Sequence, residues 1–246
     1  MTKTIIILLL FKLSLVFGQK DLTVIENYNT AERLYSKKAY DKVIEITTKS
    51  LTTIQPTDSL YEKTFSLRVL AYLKIKDFDK AVVDYKKLID LNPTDLTYYV
   101  GIGYAYSELN DFKNCYMFLD KGFNVNPKDK YLLYNIARYH NIGKDYNEAI
   151  KYANIALELK LEPEWRSFVL IERSKSYTNQ NIYENALKDC NESISLSPKN
   201  NLAYYYRALS NIGLNKFETV CADLEKAKNY AAGNLTRELI KKHCSK

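Results

Sequence analysis

Apolar positions along this chain recur at helical spacing, in pairs of stretches separated by short polar breaks. Leu133, Ile136, Ala137 and His140 follow the i, i+3, i+4, i+7 rule of one helix face. After a break at Gly143-Lys144-Asp145, Ala149, Ala153 and Ala156 give a second helix with a narrow face of small residues. Two such helices joined by a tight turn form a helical hairpin, and the small residues let the pair approach closely.

The same pattern returns along the chain. An aromatic residue stands at Tyr40, Phe78, Phe112, Tyr146, Tyr183 and Phe217, at intervals of 38, 34, 34, 37 and 34. Three residues after each comes a small or modest side chain: Val43, Ala81, Cys115, Ala149, Ala186 or Val220. Nine residues before it stand Ala31, Val69, Gly103, Ala137, Ser174 and Ala208, all small except Val69. Pro93, Pro127 and Pro198 follow the aromatic by fifteen residues in three copies, where a proline stops one helix and opens the next repeat. A period near 34 residues marks a stacked repeat architecture, in which no hairpin buries its apolar face alone.

These columns resemble the tetratricopeptide repeat. The fullest copy, 96–129, carries Tyr99, Ile102, Gly103, Tyr106, Phe112, Cys115, Leu119, Gly122 and Pro127. Copies at 62–95 and 167–200 carry Phe65, Tyr72, Phe78, Ala81, Tyr85 and Pro93, and Tyr177, Tyr183, Ala186 and Pro198, respectively. Weaker copies fall at about 24–57, 130–163 and 201–234. The sequence departs from the family at Leu88, His140 and Asn211, and has short insertions at 58–61 and 164–166. The resemblance implies an all-α, right-handed solenoid of about six hairpins. A final helix at 235–246, with Asn234 as its cap and Leu235, Leu239 and Ile240 on its apolar stripe, is expected to lid the last repeat.

Residues 1–18 read as an export signal: Lys3, then an apolar stretch from Ile5 through Phe17, interrupted by Lys12, with a cut expected before Gln19. The rival reading is a retained anchor, but the run falls short of the roughly 20 residues needed to span a bilayer. The mature chain, 19–246, is expected in the periplasm or secreted, with no membrane span. Loss of Lys3 and Lys12 takes the net charge from +7 to +5. The charges are interspersed, which suits solvated helix faces with i, i+4 pairs and gives no basic stripe for nucleic acid.

The chain has two histidines and four cysteines. His140 sits on a core stripe and reads as a packed substitute for tyrosine. Neither a metal-ligand spacing nor a phosphate loop nor a nucleophile elbow occurs, so no cofactor, metal or catalytic residue is expected. Cys115 and Cys190 fall in inward slots. Cys221, in the last hairpin, and Cys244, at the end of the capping helix, are candidates for a disulfide in an exported protein.

A second stripe on the first helix of each repeat is offset from the core stripe by about two residues. It comprises Tyr131, Tyr134, Arg138 and Asn141, with Tyr104 and Ser107 in the repeat before, Phe168, Lys175 and Asn179 in the repeat after, and Tyr205 in the last. In the family, first helices line the concave groove, so the resemblance makes these the candidate contacts for another protein or peptide. Tyrosine offers large contact area at little entropic cost, and Arg138 and Lys175 add positive charge. The same tyrosines could instead pack against neighbouring hairpins. The family's lysine- and asparagine-rich clamp for an acidic chain terminus has no match here. The expected role is a non-enzymatic binding scaffold. The rival is a structural subunit of an envelope or secretion assembly, self-associating through its convex face or ends.

Overall fold

The computed structural model describes residues 22–228 and 233–244, which hold thirteen helices and no strand. The expected export signal lies outside the described residues. The chain divides into two compact units, the first ending at Leu109 and the second beginning at Asn110. In the first are α1 (22–36), α2 (Tyr40–Leu51), α3 (Tyr61–Lys74), α4 (Phe78–Leu91) and α5 (Leu96–Glu108). The second has α6 (Phe112–Val125), α7 (Lys130–Ile142), α8 (Tyr146–Leu157), α9 (Pro163–Asn179), α10 (Tyr183–Leu196), α11 (Asn201–Gly213), α12 (Val220–Ala227) and α13 (Gly233–Cys244). In each unit helices pack on their chain neighbours, and in the second α7 also meets α9 and α9 meets α11. This is the all-α solenoid expected of stacked hairpins.

Every turn between the paired helices has one construction. Lys38, Lys76, Asn110, Lys144, Asn181 and Asn215 each stand two residues before the repeat's aromatic and adopt a left-handed backbone, with φ between 57° and 65°. At the second turn the Lys76 amide donates to Leu73 O and the Asp77 amide donates to Tyr72 O, closing the two carbonyls that the end of α3 leaves open. Asp77 and Asp111 then cap α4 and α6, accepting from the Lys80 and Asn114 amides.

The small columns are fully buried: Ala31, Ala81, Cys115, Ala137, Ala149, Ala186 and Ala208 expose nothing. The repeat aromatics reach the next first helix. Phe78 meets Tyr104 edge-on, with ring centres 6.0 Å apart, and a Cβ at Gly213 would stand 2.3 Å from the Tyr183 ring. Any side chain at 213 would have to displace the Tyr183 ring from that space.

A buried ion pair runs through three repeats. Arg68, Arg173 and Arg207 each make a two-pronged contact with the aspartate sixteen residues on, Asp84, Asp189 and Asp223, at 2.6–2.8 Å. The third prong donates to the second helix of the preceding repeat, at Thr48, Asn154 and Asn191. Thus one guanidinium ties three helices. In the other three repeats the same two slots hold Thr30 and Ile46, Ile102 and Phe118, and Ile136 and Tyr152. The chain fills this position with a charge on both sides or on neither.

The last hairpin is shorter. Its second helix starts at Val220, three residues after Phe217, whereas the other five start on the aromatic itself. α13 closes this end. Leu239, Ile240 and Cys244 pack with Ile212 on Ala208, Val220 and Leu224, and His243 stacks on Phe217 at 5.8 Å. Because α13 begins at Gly233, Asn234 lies within the helix rather than ahead of it as its cap. Cys221 and Cys244 are joined as a disulfide, their Cα atoms 5.6 Å apart. Cys115 and Cys190 are buried free thiols, each pushed up to about 12 by burial, and are therefore unreactive.

His140 lies between two tyrosine rings, stacked on Tyr116 at 4.0 Å and on Tyr152 at 5.6 Å. Asp145 Oδ2 is 3.4 Å from Nδ1, too far for a well-formed hydrogen bond. Burial pushes the imidazole below its ordinary 6.5, outweighing the nearby carboxylates of Asp145, Glu148 and Asp120. The unfolded chain therefore gains a proton near pH 6.5 that the folded chain resists, so stability present above pH 6.5 is lost as the solution is acidified below it. His140→Phe, which keeps a flat ring and cannot titrate, is expected to flatten the fall in urea midpoint between about pH 6.5 and 5. Identical slopes for the two proteins would show that His140 plays no part.

Candidate functional site

α7 and α9 build the site. The face of α7 that carries Tyr131, Tyr134 and Arg138 follows helical spacing, as does the face of α9 that carries Phe168 and Lys175. Between them stands Trp165, the only tryptophan of the chain. α9 is 17 residues long against 13 for α7, and it opens with Pro163 in its first turn. The insertion at 164–166 is thus an added first turn of helix, and it delivers Trp165.

Trp165 meets Tyr131 at 6.2 Å, Tyr134 at 6.1 Å and Phe168 at 6.1 Å, each close to edge-on, and Tyr134 lies 6.3 Å from Phe168. Edge-to-face contacts of this kind hold rings rigidly while leaving other faces open. Tyr131 remains 42% exposed and Phe168 37%, so the cluster presents surface rather than filling a core. Lys130 Nζ sits 5.5 Å above the Trp165 ring and pairs with Glu162, whose carboxyl it holds below the usual range. Arg138 leans over the Tyr139 ring at 5.6 Å. Among the described residues neither Arg138 nor Lys175 has a carboxylate partner.

The remaining expected contacts are placed differently. Asn141 is only 3% exposed. Its amide donates to Glu172 O at 2.8 Å and Glu172 Oε2 at 2.9 Å, and its oxygen accepts from Ser176 Oγ at 2.7 Å. The expectation that Asn141 contacts a partner is therefore corrected: its polar atoms are spent on locking α7 to α9. Asn179 is exposed, and its amide donates to Lys175 O one turn back. Tyr205, on α11, meets Tyr206 edge-on at 5.3 Å. Tyr104 belongs to the first unit, half-buried against Phe78. Trp165 escaped the sequence reading because it falls outside the repeat register. Its rarity, and its spacing of three from Phe168, were the available signals.

An all-helical repeat protein with an exposed aromatic face on its first helices is the class that this geometry defines. Residues 63–95 and 96–129 match the tetratricopeptide repeat model. The chain thus carries tetratricopeptide repeats. It is 25% identical over 185 residues to stress-induced-phosphoprotein 1 of Caenorhabditis elegans, covering 63% of this chain and 58% of that protein. It is 32% identical over 104 residues to serine/threonine-protein phosphatase 5 of Rattus norvegicus, covering 42% of this chain and 20% of the phosphatase. Among solved structures, a tetratricopeptide repeat protein of Parabacteroides merdae superposes with a TM-score of 0.69 at 14% identity, over 90% of this chain and 93% of that one. YrrB, described as a repeat protein with an unusual peptide-binding site, superposes with a TM-score of 0.56 at 18% identity, over 80% and 97%. At these identities the structural likeness concerns the fold.

Proposed function

We propose that this chain is a non-enzymatic scaffold that captures a peptide or protein segment on the first helices of its second unit, outside the cytoplasm. The observation that carries the reading is the ring cluster of Tyr131, Tyr134, Trp165 and Phe168, held rigid and left open. Aromatic side chains fixed in this way contribute most at interfaces, since little entropy is lost when a partner covers them. The unpaired charges of Arg138 and Lys175 on the same faces favour a segment with an acidic group beside its apolar ones. Among the described residues no helix is long and apolar enough to cross a membrane. Export is supported by the apolar leader and by the Cys221–Cys244 bridge, since disulfides persist in oxidising compartments. The match to the phosphatase leaves four fifths of that protein uncovered, and its activity is not carried over.

Trp165 makes the test direct, because the chain's tryptophan emission comes from the site alone. The double variant Tyr134→Ala/Trp165→Ala is expected to lose the partners captured by the wild-type chain, by tenfold or more, with helical circular dichroism unchanged. Titrating a captured partner into the wild type should shift the emission saturably. An unchanged set of captured proteins would refute the site.

A further inference from the structure

The first unit carries a recess of different chemistry. A cavity of about 360 Å³ opens between Tyr28 and Glu32 of α1, Glu62, Lys63 and Leu70 of α3, and Tyr98 of α5. A second cavity of about 220 Å³ shares Leu70 and Tyr98 and is otherwise largely apolar, with Val69 and Leu88 in its wall. Leu70 is 44% exposed and forms the threshold between them.

Each carboxylate of the larger cavity accepts a hydrogen bond from a tyrosine. Tyr28 donates its hydroxyl to Glu32 Oε1 at 3.0 Å, and Tyr98 donates to Glu62 Oε1 at 2.6 Å. Burial first, then the adjoining carboxylate, pushes both phenols up to about 12, so they stay protonated donors at neutral pH. Each bond engages one oxygen of its glutamate. The other oxygen has no hydrogen-bond partner among the described residues. Lys63 is the only cation lining this cavity, and it is exposed without an ion pair among the described residues. Two carboxylates against one ammonium leave the recess with a net negative charge.

We propose that this recess is a subsite for a basic side chain, lysine or arginine, of a bound peptide, whose apolar neighbour enters the smaller cavity. The proposal rests on the reading of the chain as a peptide-binding scaffold and names what one part of the peptide carries. The alkyl stem of such a side chain lies along Leu70 and the tyrosine rings, while its charged end meets the two free glutamate oxygens. An acidic side chain at that place faces two carboxylates and is rejected, so the recess acts through selectivity.

The test uses the intact ¹⁵N-labelled chain titrated with acetyl-Lys-Leu-amide and its uncharged isostere acetyl-norleucine-Leu-amide. The lysine dipeptide is expected to give saturable shifts at residues 28–32, 62–70 and 98, with affinity about tenfold above that of the isostere. Glu32→Gln/Glu62→Gln keeps an acceptor for each tyrosine hydroxyl, so the fold is retained, and should weaken the lysine dipeptide about tenfold. Lys63→Ala, which removes the competing cation, should tighten it. Equal response to both dipeptides, no saturable shift with either, or an unaltered affinity in the double glutamine variant overturns the subsite. Capture that still depends on Trp165 would then show that the scaffold reading survives without it.

Discussion

Arg173→Ile is expected to destabilise the protein by about 3 kcal/mol, and adding Asp189→Tyr is expected to restore most of that loss. Asp189 is 1% exposed, and its two oxygens are both taken by Arg173. Removing the arginine alone strands a buried carboxylate. Burial pushes the Asp189 carboxyl above its ordinary value even with the guanidinium beside it, whereas the carboxylate raises Arg173 above its own. The two shifts oppose one another, so the charged pair gains little over its desolvation cost. An apolar pair should then serve about as well as the charged one. The chain supplies the template, since the repeat before carries Ile136 and Tyr152 in these two slots. Urea denaturation of the wild type, the single variant and the double variant decides it. A double variant no more stable than the single one would mean that the arginine's third contact, with Asn154, matters more than the pairing.

The second large effect lies at the C-terminal end. Cys221→Ser/Cys244→Ser is expected to weaken the α11–α13 region by roughly 3 kcal/mol, from the chain entropy released when a loop with a sequence separation of 23 is no longer closed. α13 covers Val220 and Leu224, so its release also wets the core of a hairpin whose second helix has only 8 residues. Amide exchange should accelerate in residues 201–227 and 236–244 while residues 130–157 keep their protection. Thiol counting on the denatured, non-reduced wild type should find two free thiols, Cys115 and Cys190. Four would remove the bridge, and matched exchange in both proteins would remove its stabilising role.

The hairpins were readable because their determinants are local and repeat. An aromatic after each turn and small residues at fixed offsets register on any self-comparison of the chain, and the folded helices obey them. The charged pairs went unread for the opposite reason. Arg68 and Asp84 stand sixteen residues apart on different helices, and only half the repeats carry them, so no column of like residues exists to notice. The site was legible in part. Tyr131, Tyr134 and Phe168 follow from their offset from the core stripe, which fixes direction along a helix. Asn141 follows the same offset yet turns inward, because α9 brings Glu172 and Ser176 against the end of α7. Which polar residue a neighbouring helix will claim depends on packing across about thirty residues of chain, and helical periodicity carries no information on that.

The turns grade the molecule along its length. A left-handed backbone costs a lysine more than an asparagine, whose short polar side chain tolerates it. Lysine holds this place at 38, 76 and 144, asparagine at 110, 181 and 215. The two hairpins nearest the N-terminus therefore fold over the costlier bends, while the two nearest the C-terminus have the easier ones, and the last of them also carries the covalent lock. In a chain whose neighbours stabilise one another only locally, amide exchange through local opening is therefore expected to be faster at the Lys38 and Lys76 bends than at the Asn181 bend.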